Sequence, residues 1–169
     1  MRSLGIMAAA AFAAGCAGFG GDVITQIERS SAYSNERARA ATGGVQPVEV
    51  VGAPPDGAGP EAVAAALRAP GIYPATTYRA VPPGGGGLRT ALVFGATLSP
   101  QAVCAAPQPG GAPALVVSAA LCQGETPLSG ARMRANDLTG PSDPGFDDAM
   151  ARLMIAILPR ERQRLKRED

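Results

Sequence analysis

The chain of 169 residues contains no histidine and no tryptophan, and Lys166 is its single lysine. Without histidine, Ser-His-Asp and Cys-His nucleophilic machinery is excluded, as are zinc sites of the HExxH kind. Lys166 lies in a charged C-terminal segment, which leaves a Ser–Lys dyad no plausible setting. Aromatic residues make up 4% of the chain. A folded core must therefore rest on Leu, Val, Ile and Met with few rings. Long apolar runs are also missing. The N-terminal run Leu4–Ala14 is only about 11 residues, against roughly 20 for a membrane-spanning helix.

Charge of either sign is scarce in net terms: the balance is +1 at pH 7. No strong steering toward nucleic acid follows from that, and none is expected as a partner. About 150 residues remain beyond the N-terminal run, enough for one domain.

That run has a recognisable setting. Met1-Arg2-Ser3 supplies a positive start, Leu4–Ala14 the apolar stretch, and Ala13-Ala14-Gly15-Cys16 a small-residue site ending in cysteine. The order resembles a bacterial lipoprotein signal with its lipobox, over residues 1–17 alone. The strongest lipoboxes carry Leu where this chain has Ala13. The resemblance implies a signal peptide at 1–15, cleavage before Cys16, and acylation of that cysteine. It implies a membrane contact through the acyl chains on Cys16. Ala17 after the cysteine implies sorting to the outer membrane, on its periplasmic face. An ordinary cleaved signal leaving Cys16 as a plain thiol, and a buried alanine-rich helix, are the alternatives.

Cys104 and Cys122 remain. An even pair in an oxidising compartment favours a disulfide, with two buried thiols as the alternative. A metal site is the weaker rival: zinc wants four ligands, and no carboxylate-rich segment flanks either cysteine. No metal and no cofactor are expected.

Along the chain, residues 16–44 read as a lipidated cysteine followed by a flexible tether, rich in Gly, Ser, Arg and Asn. The globular periplasmic domain is expected over 45–159 and a charged tail over 160–169. Pro47–Val51 reads as a strand, and Pro60–Leu67 as a helix with Pro at its first position. Thr76–Val81 and Leu88–Phe94 read as strands, joined by a Pro-Pro-Gly-Gly-Gly-Gly turn. Ser99 caps a short helix at Pro100–Ala105. Ala114–Leu121 is a strand, and Gly130–Ala135 a further candidate. Phe146, Met150, Leu153, Met154 and Ile157 recur at helical spacing, with Asp143 as cap and Pro144 as first helical residue. The class is α+β: a small antiparallel or mixed sheet in β-α-β-β-α-β order, ferredoxin-like in outline, plus a C-terminal amphipathic helix.

Candidate chemistry is sparse. Asp147 and Asp148 are adjacent in a helix's first turn, where acids are expected in any case. Gly84–Gly87 lacks the Gly-Lys-Ser/Thr of a phosphate loop and precedes a strand, so a hairpin tip is the simpler reading. The tail cations Arg160, Arg162, Arg164, Lys166 and Arg167 are diluted by acids. Arg132 and Arg134 share a face if their segment is a strand, and could form part of an anion site. The functional expectation is a non-catalytic envelope lipoprotein that binds an envelope protein, peptidoglycan or a lipid. The alternatives are a lipid-anchored enzyme using carboxylates alone, and a small-molecule or lipid carrier.

Overall fold

A computed structural model describes residues 21–160; the signal segment, Cys16 and tail residues 161–169 lie outside the described residues. Six strands and four helices follow in chain order. They are β1 (Val23–Arg29), α1 (Asn35–Ala40), β2 (Gly44–Val51), α2 (Pro60–Ala66), β3 (Thr76–Val81), β4 (Leu88–Phe94), α3 (Pro100–Ala105), β5 (Leu115–Gln123), β6 (Thr126–Ala135) and α4 (Phe146–Ile157). The class is α+β. All strands belong to one mixed sheet, ordered β1-β6-β5-β4-β2-β3.

Local chemistry accounts for several boundaries. Pro60 opens α2, where a missing N–H costs nothing. The Ser99 hydroxyl accepts from the Ala102 N–H and caps α3, with Pro100 next. β5 and β6 form a hairpin through Gly124-Glu125, with Gly124 at φ 58°, as a type II′ turn requires of its first central residue. The start of α4 differs from the expectation. Its N-cap is Gly145, at φ 98°, and Asp143 accepts instead from the backbone N–H and hydroxyl of Thr139, closing the preceding loop.

The strand order also differs from a ferredoxin-like one. β3 and β4 do not form a hairpin. Both run parallel to β2, one on each side of it. Residues 82–87 therefore carry the chain from one side of β2 to the other, and Gly84 and Gly87, both with positive φ, give that link its sharp changes of direction. β2, α2 and β3 form a parallel crossover unit, while β4 with β5, β5 with β6 and β6 with β1 are antiparallel.

A second correction concerns residues 16–44. Within that expected tether, β1 pairs with β6 as an edge strand, with Val23 opposite Arg134. α1 follows, capped by Ser34, and it buries Ala38. Tyr33 is buried as well, and its hydroxyl donates to the Pro159 carbonyl at 2.5 Å. Asp22 is tied to Arg152 of α4 by two charge-assisted bonds of 2.5 and 2.8 Å. The folded region thus begins about twenty residues before the expected boundary at Val45.

The sheet is covered on both faces. α2 and α4 pack on one, over a core that includes Leu92, Phe94, Leu121, Met133, Phe146 and Leu153. α3 packs on the other, over a smaller cluster around Ala91, Val93, Ala120 and the two cysteines. β4 is buried on both faces along nearly all its length, as a central strand must be.

Candidate functional site

Successive strand residues point to opposite faces, so Arg132 and Arg134 of β6 share one. Their Cα atoms are about 7 Å apart at strand rise. That face is the one carrying α3, but α3 covers only part of it. Beyond the helix the two arginines line an open groove of about 550 Å³. Val23, Thr25 and Gln26 of β1 form one side, and Thr97 and Val116 contribute from the loop after β4 and from β5. No carboxylate lines this groove.

Both guanidinium groups are held through Nε. Arg132 Nε donates to the Leu98 carbonyl at 2.6 Å, and Arg134 Nε to Asn136 Oδ1 at 3.0 Å. Among the described residues neither arginine has an ion-pair partner, and no hydrogen bond engages their terminal Nη groups. A guanidinium fixed at one edge presents the other as a planar fork, the geometry that matches phosphate or carboxylate oxygens. Guanidinium groups placed in this way can bind and orient an anion. β1 shapes the rim through a bulge between Thr25 and Glu28. Gln26 sits in it at φ 50°, the one non-glycine with positive φ among the described residues.

Behind the groove, α3 is fastened to the sheet by two devices. Cys104 is bonded to Cys122 with a Cα separation of 5.6 Å, within ordinary disulfide geometry. Beside it, Arg89 Nε donates to Glu49 Oε2 at 2.7 Å, with Glu49 fully buried and Arg89 5% exposed. Arg89 also donates to the Gly124 carbonyl at 2.7 Å and to the Cys104 carbonyl at 3.1 Å. One side chain thus joins β2, the β5–β6 turn and the end of α3. Glu49 Oε1 has no partner. Sequence reading missed this pair. The available signal was one charge inside each of two strands whose same-face neighbours are apolar, Val-Glu-Val-Val and Leu-Arg-Thr-Ala-Leu.

Of the remaining candidates, Asp147 and Asp148 border, with Asp143, an open surface pocket of about 410 Å³ at the start of α4. Asp147 and Asp148 lie in the first turn of α4, where Asp147 makes an exposed 3.9 Å contact with Arg68. The loop before them is closed by Asp56 and Asp143. Burial raises the Asp56 carboxyl, but bonds from Ala58 and Ser142 outweigh it and leave the group below its ordinary value. The hydroxyl and N–H of Thr139 hold Asp143 below its own. Gly84–Gly87 forms the link across β2, not a hairpin tip and not the start of a helix. Arg160 is the last described residue, so the rest of the tail cations lie outside, as does Cys16. Among the described residues no helix is long and apolar enough to cross a membrane, and no group of acids and cysteines could hold a metal ion.

Comparison with known families, with curated proteins and with solved structures finds no match for this chain.

Proposed function

We propose that this chain is a lipoprotein of the bacterial cell envelope, anchored through acyl chains on Cys16 and acting by binding, without catalysis. The observation that carries the reading is the run from Met1 to Cys16: a positive start, an apolar stretch too short to span, and Ala-Gly-Cys at its end. The Cys104–Cys122 bridge suits an oxidising compartment such as the periplasm. Ala17 after the anchor favours the outer membrane over the inner. The groove at Arg132 and Arg134 supplies a binding surface with fixed positive charge.

One acyl chain binds a bilayer only marginally, at about 0.8 kcal/mol per buried methylene, whereas several on one cysteine make release negligible. The test is the mass of the mature N-terminus together with membrane fractionation. The expected result is an acylated Cys16 as first residue, in the outer-membrane fraction. An intact Met1 or an unmodified Cys16 would overturn the reading. Cys16→Ser should leave the signal uncut or release the domain from membranes.

A further inference from the structure

The early start of the fold changes what an anchor at Cys16 would do. A tether running to residue 44 would let the domain range on the order of 100 Å from the membrane. With β1 beginning at Val23 and Asp22 fastened to Arg152, Asp22 is six residues on from Cys16, a separation that cannot exceed about 21 Å. β1 is also the wall of the groove: Val23, the first strand residue after that span, lines it together with Arg132 and Arg134. An anchor at Cys16 would therefore keep this uncompensated cationic groove close to the bilayer.

We propose that this groove binds the phosphate of an anionic phospholipid headgroup in the leaflet that holds the acyl chains. The proposal rests on anchoring at Cys16, since the anchor is what brings the groove to the bilayer. Three features suit it to this ligand. The two guanidinium groups stem from Cα atoms about 7 Å apart on one strand face, are each held through Nε, and leave their Nη groups without a partner, so both line the same groove with hydrogen-bond donors suited to phosphate oxygens. No carboxylate among the lining residues competes for them or repels the ligand. Exposed Val23 and half-buried Val116 give apolar surface beside the forks, which a glycerol backbone can cover and a bare inorganic ion cannot. Bound in this way, the headgroup would hold β1 and β6 against the membrane and fix the domain's orientation.

The test is a titration of the full-length processed protein in neutral detergent, using soluble short-chain lipids. Dihexanoylphosphatidylglycerol should bind at least tenfold more tightly than dihexanoylphosphatidylcholine. Arg134→Gln should weaken it by about tenfold, the loss of one charge-assisted contact. Arg134→Lys should fall between the two, because the charge is kept and the fork is lost. Arg134 is exposed, so its variants are expected to melt with the parent, and Arg132→Gln is then a second reading of the same groove. Equal binding of the two lipids, or an Arg134→Gln variant that binds as the parent does, would overturn the proposal. So would inorganic phosphate or a D-alanyl-D-alanine peptide binding as tightly as the anionic lipid, which would assign the groove to a free ion or to a cell-wall carboxylate. The titration reads the groove whether or not Cys16 carries lipid. Binding with an unmodified Cys16 would overturn the anchor and keep the groove, and an acylated Cys16 without binding would overturn the groove and keep the anchor.

Discussion

On the face that carries α2 and α4, the sheet packs Leu92, Phe94, Leu121 and Met133 against Phe146, Met150, Leu153 and Ile157. On the face that carries α3, the buried apolar residues are Ala91, Val93, Val103, Ala120 and the two cysteines. Large side chains contribute about 1.5–3 kcal/mol each on burial, and alanine far less. The first face holds itself by apolar area. The second has too little, and adds a covalent bond and an ion pair that converge on the same end of α3. Among the described residues each face also carries one buried side-chain polar atom without a partner: Glu49 Oε1 on the α3 side and the Tyr78 hydroxyl on the other. Glu49 cannot be removed without stranding Arg89, whereas the Tyr78 hydroxyl has no dependent.

The sharpest way to break this contrast is at the ion pair. Arg89→Met leaves a carboxylate buried without a counter-charge and is expected to cost about 3–5 kcal/mol in urea unfolding. Adding Glu49→Leu should recover most of that loss. A single variant within 1 kcal/mol of the parent would show that the α3 face does not depend on the pair. On the opposite face, Leu153→Ala should cost about 2–5 kcal/mol, since the residue is fully buried. Native-state hydrogen exchange should find α4 among the last helices to open, and its opening before α3 would reverse the comparison.

Removing the bridge with Cys104→Ala and Cys122→Ala should cost roughly 3 kcal/mol, from a closed loop with a sequence separation of 18. The loss should concentrate in exchange of α3 amides and spare α4. The smallest expected effect is a gain. Tyr78→Phe removes a buried hydroxyl with no partner and should stabilise by about 1 kcal/mol. Burial also raises the Tyr78 pKa above its ordinary value. The folded state therefore prefers the neutral phenol, and the contribution is intact below about pH 10 and lost as pH rises past it. Parent stability should fall above that pH more steeply than that of Tyr78→Phe, and parallel curves would count against the assignment.

What could be read from the sequence tracks this division. β3, β4 and α3 stand where the residues place them, and α2 and α4 within about two residues at their ends. Central strands and amphipathic helices carry burial in their pattern, and Ser99, Pro60 and Pro100 mark starts. β1 carries no such pattern. It is exposed along nearly its whole length, so Val-Ile-Thr-Gln-Ile-Glu-Arg shows no apolar face, and its Gly- and Ser-rich flanks favour a linker reading. What orders it is pairing with β6, a contact remote in sequence. The strand order was hidden for the same reason: nothing local in Pro-Pro-Gly-Gly-Gly-Gly distinguishes a hairpin from a link across β2. In the candidate site, the shared face of Arg132 and Arg134 follows from strand alternation alone. The wall opposite them, made by β1, does not. Glu49 and Arg89 lie forty residues apart, and only the β2–β4 register brings them together.

The pairing of β1 with β6 also sets a clock. Val23 meets Arg134 across the ladder, so the first strand made has no partner until nearly the whole domain has left the ribosome. At synthesis rates of about 5–20 residues per second, that wait is on the order of ten seconds. During it the sheet lacks its β1 edge, and Val23–Arg29 has no strand to pair with. A strand in a local hairpin, as β5 is with β6, waits only for its turn to be made. The first and last strands in chain order are therefore joined last as the chain emerges.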